Sequence, residues 1–204
     1  MIKLLELFPK HLNLNGDAGN LLVLEKRIAW GGLSVSRNSL LPGHIPSERP
    51  DVLLIGHGSA AAWKQIYPEL ARLAPTIQEW LSAGTQVLAI SSGFAALHGL
   101  INGLPSSIDR MPRVSKFLVE EYGDETVIGY INTDLRLPAL LISENLIGSM
   151  LHGPLLAKNS WLADKIIEKA QGSAKRSAID VSRLDEVELL EQAARSLAAE
   201  QAND

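Results

Sequence analysis

Residues Val87-Leu88-Ala89-Ile90-Ser91-Ser92-Gly93-Phe94 read as a buried strand that enters a tight turn and a helix, with serine at the tip. An apolar strand, small residues and a glycine build a nucleophile elbow, which lifts one side chain above the end of a parallel sheet. The hydrolase pattern G-x-S-x-G is half present: Gly93 takes the second glycine, but Ala89 stands at the first. A serine hydroxyl must lose its proton during attack, so it needs an ordered base and usually a third group behind that base. By itself, Ser91 reads first as the small residue that a strained turn needs. The five histidines are scattered without H-x-x-x-H spacing, which argues against a metal site. His57 and His98 read as structural or exposed, and His152 alone would read as a buried structural histidine. Gly16-Asp17-Ala18-Gly19 lacks a following Gly-Lys-Ser/Thr, so it reads as a turn and helix cap rather than a phosphate loop.

The elements that must position these residues follow an α/β pattern, with short apolar runs alternating with amphipathic stretches. Ile2 to Leu7 is predicted as a first strand, and the turn-rich loop 13–20 leads into a helix through about Trp30. Leu33 to Ser36 and Asp51 to Ile55 are further strands, the latter ending in Gly56-His57-Gly58-Ser59. Two helical pieces broken near Pro75 precede the strand Gln86 to Ile90 and a short helix from Gly93. Val114 to Glu121, Val127 to Ile131 and Ala139 to Ile142 suggest antiparallel strands attached to the parallel sheet. Leu146 to Met150 then delivers Leu151-His152-Gly153-Pro154. Lys158 to Gln171 reads as a helix capped by Asn159 or Ser160. Gly172 to Ser177 is a polar linker before a last helix, Asp180 to Ala199.

A chain of 204 residues, 46% of them hydrophobic, can bury one good core. The net charge of −4, without a basic block, argues against nucleic acid as a partner. The longest apolar runs are strand-sized, so no membrane span is expected. The N-terminus has an early acid and no small-residue cleavage site, unlike a signal peptide. The chain has no cysteine, which excludes disulfides and thiolate metal sites and suits a cytoplasmic location.

Four segments resemble the class I glutamine amidotransferases of the cobyric acid synthase-like group, and within it the branch serving lipid II isoglutaminyl synthesis. They are Phe8-Pro9 through Asn15-Gly16-Asp17-Ala18-Gly19-Asn20, Leu54-Ile55-Gly56-His57-Gly58, Ala89-Ile90-Ser91-Ser92-Gly93-Phe94, and Gly148-Ser149-Met150-Leu151-His152-Gly153-Pro154-Leu155-Leu156-Ala157-Lys158-Asn159. The last is the most specific. The resemblance spans residues 1–171 as an amidotransferase-like domain and leaves 172–204 as linker and C-terminal helix. It implies a three-layer α/β fold with a central, mostly parallel sheet and helices on both faces. It also implies a division of labour: this subunit hydrolyses glutamine, and an ATP-dependent Mur-ligase-like partner uses the ammonia to amidate the D-glutamate of lipid II. Carried over residue by residue, Ser91 takes the nucleophile position and His152 the base. The amides of Gly58 and Ser92 form the oxyanion hole, and Arg113 is the candidate contact to glutamine. No cofactor is implied.

The departures from the family pattern cluster around that pocket. Ser91 replaces cysteine, Ser92 a glycine, and Ala95 a glutamine; Ser59-Ala60 stands for Gln-Asp, and Ile131-Asn132-Thr133-Asp134 for a histidine-glycine-glycine-arginine stretch. A cysteine pKa of ~8.5 falls further beside a histidine, whereas a serine has no such route to ionisation. Each ~1.4 kcal/mol lost from the transition state is a tenfold loss of rate. Two readings follow: a degenerate subunit kept for binding a partner, or an active glutaminase subunit with Ser91 as a weak nucleophile. A lone Cys→Ser exchange would explain position 91 but not Ala95, Ser59 or the 131–134 stretch.

Overall fold

The computed structural model describes residues 1–171 and 181–203. The first half runs β1 (Ile2–Leu7), α1 (Ala18–Trp30), β2 (Val35–Leu40), β3 (Val52–Ile55), α2 (Ala60–Ser82), β4 (Gln86–Ile90) and α3 (Ser92–Leu97). The second half runs β5 (Arg110–Tyr122), β6 (Glu125–Leu135), β7 (Leu140–Ser143), β8 (Leu146–Ser149) and β9 (Leu151–His152), then α4 (Ser160–Gln171) and α5 (Val181–Asn203).

Six strands form the central sheet in the order β2-β1-β3-β4-β8-β7. Its strands are parallel except β7, which joins the edge antiparallel to β8. Every residue of β3 and β4 is buried, as strands covered on both faces must be. The connection from β1 through α1 steps outward to β2, whereas that from β3 through α2 steps the opposite way to β4. Right-handed crossovers therefore put α1 and α2 on opposite faces, giving three layers. The reversal also opens a crevice at the carboxyl ends of β1 and β3, where open α/β sheets hold their sites. On the α1 face, a bidentate Arg27–Asp164 pair, with its shorter bond 2.7 Å, ties α1 to α4.

Several elements differ from the sequence reading. The predicted break near Pro75 does not occur: α2 runs continuously through Pro68 and Pro75. Both prolines face solvent, where the carbonyls they leave unpaired can meet water. The opposite face buries Ile66, Leu70, Leu73, Ala74, Ile77, Trp80 and Leu81. Each large apolar side chain buried is worth ~1.5–3 kcal/mol, and together they outweigh the ~3 kcal/mol cost of each internal proline. The second strand lies at Val35–Leu40 rather than Leu33–Ser36, because Gly31 and Gly32 extend the turn after α1. Of the antiparallel strands, only β7 joins the central sheet. β5 and β6 form a long hairpin that pairs instead with β9 in a separate three-stranded sheet. The chain thus changes sheets between Ser149 and Leu151, and Tyr130 pairs with His152. The last helix extends to Asn203, and the predicted linker Gly172 to Ser177 lies outside the described residues.

Asn159 does not cap α4 as expected. Its side chain is fully buried, accepting from the Ile128 amide at 2.9 Å and donating to the Ile128 and Leu155 carbonyls at 2.9 and 2.8 Å. It fastens the start of α4 to β6, and so to the sheet that carries His152. Asn159→Ala would orphan both Ile128 groups, and it should cost about 2–4 kcal/mol of stability. Denaturant titration checks this, and a change below half a kilocalorie would show that the bridge contributes little.

Candidate active site

The loops after β1, β3, β4 and β8 converge in the crevice. Ser91, directly after β4, has φ 50° and ψ −114°, a left-handed conformation that glycine tolerates and serine resists. Such a backbone costs of order 1–3 kcal/mol and persists only where the surroundings enforce it. The Ser91 amide donates to the Ser149 carbonyl at 2.6 Å, tying the elbow to β8. Gly93 lets the following helix approach β3: a Cβ there would lie 2.5 Å from the Gly56 and Ile55 carbonyl oxygens.

The structure brings Ser91 and His152 together. Ser91 Oγ lies 3.2 Å from His152 Nε2 across 61 residues of sequence. On the other side of the ring, Asn15 Nδ2 lies 2.7 Å from Nδ1. Burial pushes the His152 pKa below its ordinary value, opposed by the Asn132 carbonyl, so the ring is neutral at neutral pH.

The amides of Gly58 and Ser92 also meet here, and neither is free. The Gly58 amide donates to Ser92 Oγ at 2.9 Å, and the Trp63 indole donates to the same oxygen at 2.7 Å. The Ser92 amide donates to His57 Nδ1 at 3.3 Å, and Ser92 Oγ lies 2.9 Å from that nitrogen. Burial, with His152 nearby, pushes the His57 pKa down to about 4, so its Nδ1 lone pair remains available. An oxyanion hole stabilises developing charge only when its donors await that charge. Here both donors are taken by side chains of the site itself.

Beneath the glycine loop, Asp17 is fully buried and accepts from the His57 amide at 3.2 Å. Burial is the main cause of its pKa rising to about 6. Arg113 is exposed on β5 beside the irregular pairing between Arg110 and Val114. Among the described residues, no hydrogen bond or ion pair joins it to Ser91, His152 or the glycine loop. Also among the described residues, no group of three or more His, Cys, Asp or Glu could hold a metal ion.

Sequence reasoning missed Asn15, Trp63 and the site role of His57, and took Asp17 only as part of a turn and helix cap. A histidine between two glycines in a loop after a central strand was a usable signal for His57. Asn15 and Trp63 had none, because their contacts cross 137 and 29 residues. His98 is structural, with Nδ1 3.1 Å from the Phe94 carbonyl.

Two of these groups oppose each other in acid. The raised pKa of Asp17 means a contribution to stability that is present below 3.8 and lost as pH rises through about 6. The lowered pKa of His57 means one present above 6.5 and lost as pH falls through about 4. Asp17→Asn should therefore lose more stability than the wild type between pH 6.5 and pH 4, by on the order of 2 kcal/mol. His57→Gln should lose less. Denaturant curves at the two pH values check this, and parallel pH dependence in all three proteins would contradict it.

No established family profile matches the chain. Among curated proteins it is similar to the lipid II isoglutaminyl synthase (glutamine-hydrolyzing) subunit GatD of Staphylococcus aureus (strain N315). The two are 26% identical over 196 residues, covering 78% of this chain and 80% of that protein. Among solved structures, a chain of PurLQS from Thermotoga maritima superposes with a TM-score of 0.55 at 14% identity, over 85% of this chain and 99% of that one. A glutamine amidotransferase from Thermotoga maritima gives 0.51 at 16% identity, over 100% and 99%. At those identities the solved structures establish the fold, and the staphylococcal relative supplies the link in sequence. With an elbow at the end of β4 facing a histidine delivered after β8, the chain has the α/β fold of the class I glutamine amidotransferases and is similar in sequence to an amidotransferase subunit.

Proposed function

We propose that this chain is an amidotransferase-type subunit of the cobyric acid synthase-like group, related to that of lipid II isoglutaminyl synthase, whose own glutamine hydrolysis is lost. It is kept as a cytoplasmic, partner-binding subunit of an ATP-dependent Mur-ligase-like enzyme in peptidoglycan precursor synthesis, with residues 1–171 as the amidotransferase-like unit. One observation carries the loss of hydrolysis: the Gly58 and Ser92 amides are both spent on Ser92 Oγ and His57 Nδ1. Losing one oxyanion donor costs about a hundredfold to a thousandfold in rate. With a hydroxyl in place of a thiolate as well, little acceleration remains for the pair Ser91 and His152.

A second reading, an active glutaminase subunit feeding ammonia to the same kind of partner, is favoured by the strained elbow and the 3.2 Å approach of Ser91 Oγ to His152. In that reading Ser91 attacks the glutamine side-chain carbonyl, His152 takes the hydroxyl proton and passes it to the departing ammonia, and water then releases glutamate. In that reading Arg113, exposed on β5, is the candidate contact to the glutamine substrate.

The two readings separate on turnover. The purified chain should release no ammonia from glutamine above buffer, and Ser91→Cys should restore less than a tenth of the activity of a competent glutaminase. Release well above buffer that vanishes in Ser91→Ala would establish the second reading instead. For the subunit role, the chain should co-purify with the Mur-ligase-like protein. A ligase that is stable and fully active without it, on glutamine and on ammonia, would end that role.

A further inference from the structure

We infer that Asn15 is a positioning residue that fixes which ring nitrogen of His152 carries the proton, and that in the orientation seen it withholds the base from Ser91. The inference rests on reading Ser91 and His152 as the inherited pair. A neutral imidazole has one N–H and one lone pair, and the partners of the two nitrogens decide which is which. Asn15 Nδ2 faces Nδ1 at 2.7 Å and can only donate. Nδ1 must therefore keep its lone pair, and the ring proton sits on Nε2.

Nε2 is the nitrogen that faces Ser91 Oγ at 3.2 Å. With the proton there, the ring donates to the serine hydroxyl and has no lone pair to remove its proton. In a serine–histidine pair the wrong tautomer alone lowers turnover about ten-thousandfold, with the geometry intact. The side chain at position 15 can reverse this. If the amide turns half a revolution, Oδ1 accepts from Nδ1–H, and the Nε2 lone pair then faces Ser91. Asn15 thus stands where a third member of a triad would stand, presenting its donor rather than its acceptor.

Two other rings lie against the imidazole without a hydrogen bond to it among the described residues. The His57 ring centroid is 5.0 Å away and the Tyr130 ring meets His152 edge-on at 6.5 Å. The Asn132 carbonyl also meets the ring and, as an acceptor, favours a proton on the nitrogen it faces, so the labelled spectra read its influence together with that of Asn15. A carboxylate at position 15 has no donor to offer, so it must take its proton from Nδ1.

The test is nitrogen NMR of the full chain with its histidine rings labelled, at a pH where the rings are neutral. The His152 signals are assigned by their loss in His152→Gln. In the wild type, Nε2 should show the shift of a protonated nitrogen and Nδ1 that of a bare one. In Asn15→Asp the two should exchange, and in Asn15→Ala they should average. An Nδ1–H signature in the wild type, or an unchanged pattern in Asn15→Asp, overturns the inference. A second measurement uses Ser91→Cys and the pH profile of its alkylation by iodoacetamide. Adding Asn15→Asp should move the midpoint down by about one pH unit, because the imidazolium that stabilises the thiolate is itself stabilised. An unmoved midpoint overturns the inference as well. Ammonia release by the wild type would refute the loss of hydrolysis while leaving the ring signals to be read on their own.

Discussion

The hydroxyl of Ser92 accepts the hydrogen bond that the Gly58 amide has to give. The rest of the site is arranged around that contact. Trp63, in the first turn of α2, donates to the same oxygen and closes it from outside, and His57 turns its Nδ1 toward both the Ser92 amide and hydroxyl. A glycine at position 92 would offer none of these partners an oxygen. The Ser92 hydroxymethyl group thus decides whether the Gly58 amide is satisfied, while the Ser92 amide is taken separately by His57 Nδ1.

The scaffold that holds the contact is the scaffold an active site would need. The reversal of strand order beside β1 and β3 places the 8–17 loop and the glycine loop side by side, and β4 and β8 bring the elbow and His152 to the same edge. The positive φ of Ser91 is retained at a cost, held by its bond to Ser149 and by the close packing of Gly93 under β3. Strain of this kind survives where surrounding structure over-determines it. The frame therefore stands with a serine at its tip.

Much of the frame was legible in the sequence, because apolar runs such as Val52 to Ile55 and Gln86 to Ile90 admit few readings as buried parallel strands. The elbow and the Leu151-His152-Gly153-Pro154 turn were legible for the same local reason, since both are short motifs with their own backbone demands. Helix α2 was misread at Pro75 because propensity is local, whereas the burial that overrides it spans the whole helix. The hairpin β5–β6 was assigned to the wrong sheet because strand patterning reveals the two faces of a strand but not its neighbours. The site failed to be legible where its bonds are long-range. Asn15 reads as one more turn residue until the fold brings His152 to it, and Trp63 reads as one more core aromatic until Ser92 is placed beneath it.

Hydrolysis of a small activated ester, such as p-nitrophenyl acetate, isolates the oxyanion contact from any need to recognise glutamine. Ser91→Cys supplies a competent nucleophile but leaves the Gly58 amide bound to Ser92, and Ser91→Cys/Ser92→Gly frees that amide. The acylation rate constant of the double variant should exceed that of Ser91→Cys by about a hundredfold, the worth of one oxyanion donor. Equal acylation rates in the two variants would show that the Ser92 hydroxyl does not hold the site closed.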